Sequence, residues 1–390
     1  MKQLRDGLRR RLSHLIPPLF PHSLFPFSPS SLFPFSPRLL LGTALSLLFL
    51  WLALRGTPLT EIVDAFTRAD YRFVALALSL VLLSPLVRAA RWKLLYHPNH
   101  AGLRLLRLAG ILLISQMLNI VVPARAGEVA RIYFMGRNEH RSRALTLGTI
   151  AIEKWLDILM VLILLLFMPA VVALPDWFRD SRAGLAVFAG AFFGAALVLS
   201  YGKSQLMGVV DRLAGFMPPD WQDRTRRGVG LALSSLDVLR SPRVGLQLQL
   251  WSFVIWSLSV LVNYFTFKAL GIDLSLTAAL FLLAVLQVGV AVPSAPGKLG
   301  VFQFLCVLAL GFFGVDRGVA LGYSFLLYAI VFLPPVVLGA AGLWVEIGDW
   351  RLEIRDWNVV PISNLQISLV SGILRRFWPF MTAMSVNAFG

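Results

Sequence analysis

The stretch NIVVPARAGEVARIY, residues 119–133, interrupts an apolar part of the chain with a proline, a glycine and three charged side chains. Arg125, Glu128 and Arg131 fall within seven positions of one another. Proline ends or kinks a helix because it lacks a backbone donor. Ionisable side chains are expensive inside a membrane and usually mark a functional or paired site there. The stretch therefore predicts a break in a membrane-embedded helix that brings charge to the point of the break.

The composition around this stretch is that of a membrane protein. The 390 residues are 57% hydrophobic and only 14% charged, whereas soluble domains carry about a quarter charged residues. Several apolar runs approach or exceed the roughly 20 residues that a helix needs to cross a bilayer. We predict an all-α polytopic membrane protein with about 7–9 hydrophobic helical segments, including re-entrant elements in an inverted-repeat-like arrangement.

The net charge of +16 indicates contact with anionic lipid headgroups rather than with nucleic acid, because Lys and Arg collect in the cytoplasmic loops of membrane proteins. The single cysteine, Cys306, excludes a disulfide within one chain. His97 and His100 lie three positions apart but have no accompanying carboxylate pattern. We therefore predict no metal site and no cofactor.

Three regions are predicted along the chain. Residues 1–38 form a basic segment rich in Pro, Phe and Ser, in which SLFPFSP occurs twice, and proline of this density forbids a helix. Residues 39–345 hold the apolar runs of the transmembrane domain. Within that domain, 203–240 is amphipathic, which predicts helices lying in the membrane interface on the cytoplasmic side. Residues 346–390 form a C-terminal tail of mixed character.

The distribution of basic residues predicts the topology. Segments 88–104 and 202–244 are basic and are expected on the cytoplasmic side, whereas 55–72 is balanced. Segment 123–143 carries five arginines against two glutamates, although strict alternation of crossings would place it outside. The conflict disappears if 105–122 dips into the membrane and returns without crossing. Both chain termini are then expected in the cytoplasm.

The opening stretch has an echo in VPSAPGKLG, residues 292–300. The pattern V-P-x-x-x-G followed by a charged residue occurs at 122–128 and again at 292–298, ending on Glu128 and Lys298 respectively. Paired apolar segments interrupted by Gly and Pro indicate the binding site of a transporter. The alternative is that these residues simply end two helices. In an inverted arrangement, the two breaks would approach the membrane midplane from opposite faces.

A further pair of charges lies in EKWLD, residues 153–157, within an apolar run. Glu153 and Asp157 are four residues apart and therefore share one helical face. Carboxylates at such a depth face a bundle interior or a cavity and pair with a cation. Arg125 and Arg131 are the expected partners. The alternative is a structural ion pair that fixes helix packing.

Two other polar pairs are candidates for the same site. Arg88 and Arg91, in RAARWKLL at 88–95, share a helical face near a helix end. They either anchor the helix at the membrane interface or bind phosphate through their guanidinium groups. Gln116 and Asn119 are three residues apart in the predicted re-entrant segment 105–122, and they either line a polar cavity or bond between helices.

Together these residues resemble the lysylphosphatidylglycerol synthase transmembrane family, also known as flippase-like domain proteins. The motifs that carry the resemblance are R-x-x-R-W at 88–92, N-x-x-x-P-x-R-x-G-E-x-x-R at 119–131, E-K-x-x-D at 153–157 and P-x-x-P-G-x-x-G at 293–300. The resemblance spans roughly residues 40–345. Lys154 stands where the family pattern has an arginine, which argues against bidentate binding at that position.

The resemblance implies an integral inner-membrane protein related to the lipid-translocating half of a bifunctional synthase and flippase. The chain ends about 45 residues after its last apolar run, too short for the aminoacyltransferase domain of that protein. We therefore expect a transporter-like protein rather than an enzyme. The expected partners are membrane lipids, namely anionic phospholipid, hopanoid or glycolipid, together with a lipid-biosynthesis enzyme.

The leading hypothesis is a flippase-like transporter whose polar cavity carries a headgroup across while the acyl chains stay in lipid. The candidate cavity residues are Arg125, Glu128, Arg131, Glu153, Asp157, Lys298, Asn119 and Gln116. The secondary phosphate-contact candidates are Arg88 and Arg91. The structural motif consists of Pro123, Gly127, Pro293, Pro296, Gly297 and Gly300.

Two alternatives stay open. One is a membrane transferase that acts on a lipid carrier, with Glu128 or Asp157 as general base. The other is a non-transporting partner of a lipid or envelope biosynthesis complex. The sequence contains no G-x-x-x-x-G-K-[ST] nucleotide-binding motif, so transport is expected to be passive or ion-coupled. No catalytic residue is assigned.

Overall fold

The computed structural model describes residues 37–56, 59–122, 126–171, 182–216, 219–289 and 295–356, and every regular element in these ranges is helical. The α-helices are α1 Pro37–Leu54, α2 Leu59–Thr67, α3 Tyr71–Leu94, α4 Leu105–Val121, α5 Ala126–Asn138, α6 Arg143–Val171, α7 Arg182–Tyr201, α8 Lys203–Ala214, α9 Pro219–Ser234, α10 Pro242–Ala269, α11 Leu276–Gly289, α12 Val301–Gly311 and α13 Arg317–Asp356. Short 3₁₀ helices cover Ser235–Arg240 and Pro296–Lys298. The chain divides into units of residues 1–342 and 343–390, and every contact below lies in the first.

The predicted all-α polytopic membrane protein is confirmed. Helix α3, helix α10 and residues Arg317–Glu346 of α13 are each long and apolar enough to cross a membrane. Shorter apolar helices lie at Leu41–Leu54, Leu105–Val121, Ala183–Ala195, Leu276–Gly289 and Pro296–Gly311. Helix α13 continues to Asp356, past the predicted end of the transmembrane domain. The proline-rich segment lies outside the described residues except for its last two, where Pro37 begins α1.

The long helices α3 and α10 pack against each other in antiparallel fashion. The backbone N–H of Asp70, just before α3, donates to the carbonyl of Ala269, the last residue of α10, at 2.7 Å. Near the other end, Arg91 of α3 bonds to Ser252 in the first half of α10. This pair makes the most extensive helix–helix contact among the described residues.

Helices α4 and α5 form an antiparallel hairpin. At its open end, Arg107 in the first turn of α4 pairs with Glu139, just after α5, at 3.1 Å. At its closed end, the backbone N–H of Gly127 donates to Oδ1 of Asn119 at 2.9 Å. A segment that dips into a membrane and returns to the same side requires this geometry.

Gly127 has a role that differs from the one expected. It lies in the first turn of α5 and does not break the helix. A Cβ atom at this position would lie 2.0 Å from the carbonyl oxygen of Ser115 and 2.7 Å from the Asn119 side chain. Glycine is therefore required because α5 approaches the backbone of α4 too closely for any side chain.

Helices α11 and α12 form a second antiparallel hairpin. A Cβ atom at Gly289, which ends α11, would lie 2.3 Å from Cδ1 of Leu305 in α12. At the open end, the rings of Phe281 and Phe312 are stacked with centroids 5.2 Å apart. The closed end contains Gly297, which has a φ of 73° and so needs the conformational freedom of glycine.

The two hairpins belong to two similar halves. In the first half, α3 is followed by the α4–α5 hairpin and α6; in the second, α10 is followed by the α11–α12 hairpin and α13. Because α3 and α10 are antiparallel, the hairpins start from opposite ends of the bundle. Their tips meet: a Cβ atom at Gly297 would lie 3.7 Å from the carbonyl oxygen of Ile120. This is the inverted-repeat-like arrangement that the paired sequence pattern predicts.

The basic segments gather at one end of the bundle. Tyr96, in the loop after α3, donates to Thr146 in the first turn of α6 at 2.9 Å. Thr149 lies four residues before Glu153 on α6. Its neighbour Gly148 packs against Ala232 at the end of α9. The loop between α3 and α4, the start of α6 and the end of α9 are therefore neighbours. That this end faces the cytoplasm stays a prediction.

Candidate functional site

Four ionisable side chains from three helices form a charge network that is buried except at Asp157, which is 26% exposed. Helix α3 supplies Arg91, α5 supplies Arg131, and α6 supplies Glu153 and Asp157. The spacing of Glu153 and Asp157 places both carboxylates on the face of α6 that turns toward α3 and α5. The hairpin brings Arg131 to this face because α5 runs back alongside α6.

The Arg131–Glu153 pair is the tightest contact of the network. Nη2 of Arg131 donates to Oε2 of Glu153 at 2.5 Å, and the two side chains are only 4% and 7% exposed. The guanidinium carbon of Arg131 also lies 4.0 Å from the ring centroid of Trp92, within cation–π distance. The predicted contact between Glu153 and an arginine of the opening stretch is confirmed.

Asp157 has a different partner from the one expected. Nη1 of Arg91 donates to Oδ1 of Asp157 at 2.8 Å and to Oγ of Ser252 at 3.0 Å. Nη2 of Arg91 lies 3.6 Å from Oε1 of Glu153, so one guanidinium joins both carboxylates. The expected pairing of Asp157 with Arg131 is therefore wrong, because Arg91 of α3 takes that place, and Arg125, the other expected partner, lies outside the described residues.

The interpretation of Arg91 as an interface anchor is also wrong. Its side chain is 1% exposed, because the packing of α3 on α10 covers it. An arginine held this deeply is retained only where carboxylates compensate its charge. Arg88, one turn earlier, is partly buried, and its Nε donates to Ser84 at 3.2 Å.

The network is neutral overall but has unused hydrogen-bond donors. Two guanidinium groups face two carboxylates, so the formal charges cancel. Nε of Arg91, Nη2 of Arg91 and Nε of Arg131 are buried and find no hydrogen-bond partner within the described part of the chain. Buried polar atoms of folded proteins almost always have a partner. The geometry therefore leaves donors for an added acceptor such as a water molecule or an oxyanion.

The depth of the network follows from its position on α6. Glu153 lies ten residues after Arg143, the first residue of that helix. At a rise of 1.5 Å per residue this is about 15 Å, roughly half of a ~30 Å hydrocarbon core. Lys154 lies 3.7 Å from Glu128, which is in the first turn of α5. The network thus lies at the level of the hairpin tips.

The other candidates at the first tip have defined surroundings. Glu128 and Lys154 are 21% and 48% exposed, so their contact is partly open. Asn119 holds Gly127 through its side-chain oxygen and so acts on the backbone of the tip. Gln116 is half-buried on α4. Pro123 and Arg125 lie outside the described residues.

At the second tip the backbone is held by polar side chains from other helices. Oη of Tyr328 in α13 donates to the carbonyl of Gly297 at 2.9 Å, and the amide of Ala295 donates to Oγ of Ser46 at 2.8 Å. Oε1 of Gln303 accepts from the amide of Gly300 at 2.7 Å. These contacts fix a tip whose own backbone forms a short 3₁₀ turn, in which the amide of Lys298 donates to the carbonyl of Ala295 at 2.9 Å.

The remaining candidates of the second tip lie on the same turn. Pro296 begins the 3₁₀ helix, and Lys298 ends it with a left-handed φ of 59°. Gly300 has a φ of 91°, and a Cβ atom there would lie 2.0 Å from the carbonyl oxygen of Ser46. Pro293 lies outside the described residues.

Several residues of the charge network and of the second hairpin tip had no distinct signal in the sequence. Ser252, Gln303 and Ser46 are uncharged polar residues within largely apolar helices, and only the fold reveals what they contact. Trp92 was visible as part of R-x-x-R-W, but its stacking on Arg131 and its 3.2 Å bond to Thr149 depend on helix packing.

Comparison with known proteins agrees with this architecture. The family model described as the lysylphosphatidylglycerol synthase TM region matches residues 39–339, so the chain belongs to this family. A UPF0104 membrane protein of Methanothermobacter thermautotrophicus is 24% identical over 305 residues, covering 73% of this chain and 88% of that protein. A UPF0104 membrane protein of Pyrococcus horikoshii is 22% identical over 325 residues, covering 77% of this chain and 94% of that protein. No solved structure matches the chain.

Proposed function

We propose that this member of the lysylphosphatidylglycerol synthase transmembrane family moves a lipid with a polar or anionic headgroup across its membrane. The observation that carries the proposal is the meeting of two hairpin tips, at Ile120 and Gly297, at the level of the charge network around Glu153. Irregular backbone at membrane depth is tolerated only where it is buried in protein or lines a wet cavity.

The chemistry of the network suits a phosphate-bearing headgroup. The unused donors of Arg91 and Arg131 are guanidinium N–H groups, which bind phosphate oxygens in a bidentate geometry. Existing carboxylate partners hold both arginines in place before a ligand arrives. A headgroup phosphate would displace a carboxylate from one arginine as it binds, and the carboxylate would return as the phosphate leaves. The bound and free states of the arginine would therefore stay close in free energy.

The inverted arrangement supports a mechanism of alternating access. Transporters built from inverted repeats bind substrate near the membrane midplane, between repeats, at the ends of broken helices. Here each half contributes one broken hairpin, and the two tips touch. Rocking of one hairpin against the other would open the network first to one side and then to the other, while the acyl chains stay in lipid.

The proposal includes a location and a class of substrate. The basic end of the bundle would face the cytoplasm of the inner membrane, with both termini on that side. The substrate would be an anionic phospholipid, a hopanoid or a glycolipid, delivered by a lipid-biosynthesis enzyme. Transport would be passive or coupled to an ion gradient.

Reconstitution into liposomes tests the proposal. Purified protein is incorporated with a fluorescent phosphatidylglycerol analogue, and a membrane-impermeant reductant reports how much of the lipid reaches the outer leaflet, with and without a pH gradient. Loss of fluorescence beyond the outer-leaflet fraction is expected. No movement above protein-free liposomes, for phosphatidylglycerol, glycolipid and hopanoid analogues alike, would contradict transport.

Variants then test the residues. Arg125→Lys keeps the charge but loses the planar fork, so it should fold normally and lose most transport. Lys298→Gln at the second tip should also lower transport. Lys268→Gln removes the same charge at an exposed ion pair with Asp273, far from the tips, and is the matched control. Equal transport by Lys298→Gln and Lys268→Gln would remove the second tip from the proposed path.

A further inference from the structure

We propose that α8 and α9 form a surface hairpin that inserts its apolar face into the lipid leaflet at the basic end of the bundle and requires anionic headgroups to do so. This surface hairpin consists of Lys203–Ala214 and Pro219–Ser234. The two helices pack against each other and follow α7 directly. The inference is independent of whether the protein transports lipid.

The first observation is an uncovered apolar stripe that runs along α8 and onto Phe216, two residues after the end of the helix. Val209, Leu213 and Phe216 are 50%, 60% and 90% exposed. Their spacing of four and three residues places them on one side of the helix axis. A stripe of this kind in a helix of otherwise polar character is typical of helices that lie in the membrane interface.

The second observation is basic charge beside the stripe. Arg212 is exposed and lies three residues after Val209 and four before Phe216, so it flanks the stripe. Anionic lipids attract arginine at this position because the apolar neighbours hold it at the headgroup level.

Helix α9 repeats the same combination on its outer face. Trp221 and Leu231 are 47% and 44% exposed. Arg224 lies three residues after Trp221 and is exposed, as is Arg227 one turn further. Trp and Arg together are characteristic of the headgroup region of a bilayer.

Other charges of the surface hairpin are occupied within the protein. Arg226 of α9 pairs with Asp211 of α8 at 3.3 Å, which ties the two helices together. Lys203 pairs with Asp237 at 2.7 Å, which ties the start of α8 to the 3₁₀ helix. These pairs fix α8 to α9 and to the 3₁₀ helix, and they leave Arg212 and Arg224 exposed beside the apolar side chains of their own helices.

The position of the surface hairpin favours lipid over a protein partner. It joins the bundle at the end where the basic segments gather, because Ala232 near the end of α9 packs against Gly148 near the start of α6. Arginines interleaved with aromatic and aliphatic side chains match both layers of an anionic leaflet, headgroup and acyl chain. We therefore name an anionic phospholipid surface as the occupant.

Site-specific labelling tests the inference with the full chain. In a Cys306→Ser background, an environment-sensitive fluorophore is attached at Leu213→Cys, or at Ser204→Cys as the control, an exposed residue on a different face of α8. Each protein is placed in phosphatidylcholine nanodiscs that hold either one copy or two, with or without about one part in three of phosphatidylglycerol. Lipid-borne quenchers report contact with the acyl region.

The expected result is strong quenching at Leu213→Cys in discs with phosphatidylglycerol, at least about two-fold weaker quenching without it, and little quenching at Ser204→Cys. Adding Arg212→Gln and Arg224→Gln should reduce quenching at Leu213→Cys to the level in neutral discs. The Arg226→Gln variant breaks the internal pair with Asp211. It should leave the difference in quenching between the two kinds of disc unchanged.

Three outcomes would overturn the inference. Water-like fluorescence at Leu213→Cys in both kinds of disc would show that the face is not in lipid. Equal quenching in both, unchanged by the arginine substitutions, would show that lipid charge plays no part. Shielding that appears only when two copies share a disc would assign the face to a second copy of the chain.

Discussion

Arg91 and Asp157 are 66 residues apart in the chain, and their side chains meet at 2.8 Å within the helix bundle. The same arginine approaches Glu153, and Glu153 in turn holds Arg131. Because every member of this network is compensated by another, removing one leaves a buried charge without its partner. The first prediction follows from this dependence.

A double-mutant cycle on Arg91 and Asp157 should show strong coupling. Arg91→Met or Asp157→Leu alone should each lower the free energy of unfolding by about 3–5 kcal/mol, because breaking a buried pair strands a charge. The double variant should be less destabilised than the sum of the two, as measured by thermal unfolding in detergent micelles. Lys154→Met, at a half-exposed pair, is the control and should change stability by about 1 kcal/mol or less. Additive losses would argue against direct pairing.

Gly127→Ala should destabilise the first hairpin. The added methyl group would lie 2.0 Å from the carbonyl oxygen of Ser115, so α5 must move away from α4. Gly110→Ala, in α4 of the same hairpin, is the matched control because nothing lies within 4 Å of the position that its Cβ would take. We expect a lower unfolding temperature for Gly127→Ala only. Equal unfolding temperatures would show that the close approach of the two helices is not required.

Tyr328→Phe should loosen the second tip. The substitution removes the hydroxyl that donates to Gly297, whereas the stacking of the ring on Phe332, with centroids 4.3 Å apart, stays. A loss of about 0.5–1.5 kcal/mol is expected for one hydrogen bond. Hydrogen exchange of the 295–300 amides should accelerate. Tyr264→Phe, which keeps the tilted ring contact with Phe265, is the control, and faster exchange in both variants would contradict a specific role of Tyr328.

Cysteine labelling should place the two hairpin openings on opposite sides of the membrane. Asn138→Cys lies at the open end of the α4–α5 hairpin, and Asp273→Cys precedes the α11–α12 hairpin with its side chain 98% exposed. In a Cys306→Ser background, an impermeant thiol reagent added to intact cells should label Asp273→Cys and not Asn138→Cys. Labelling of both, or of Asn138→Cys alone, would contradict the predicted topology.

The helices and their order could be predicted from apolar runs, because the length of a run decides whether a helix can cross a bilayer. The run at 105–122 corresponds to α4 within one residue. The end of α13 could not be placed, because the segment after 345 mixes charged and apolar residues and a helix continues through it. Local composition does not distinguish such a helix from a loop.

The pairing of the charges illustrates a different kind of limit. The spacing of Glu153 and Asp157 indicated a shared face and a need for cations, and Arg131 was among the expected partners. Nothing in the sequence indicated that Asp157 would pair with Arg91, because that pairing depends on which helix packs beside α6. The assignment of Gly127 as a helix breaker failed for the same reason, since its neighbour is the backbone of another helix.

By itself, the sequence determined the membrane class, the helical segments and the two places where the chain is broken, because these depend on local hydropathy and on the backbone restrictions of proline and glycine. Only the tertiary structure decided that the breaks at Ile120 and Gly297 touch, and that Arg91 joins both carboxylates of α6. These contacts join residues more than 60 positions apart, and their energies depend on distance and burial in space rather than on neighbours in the chain.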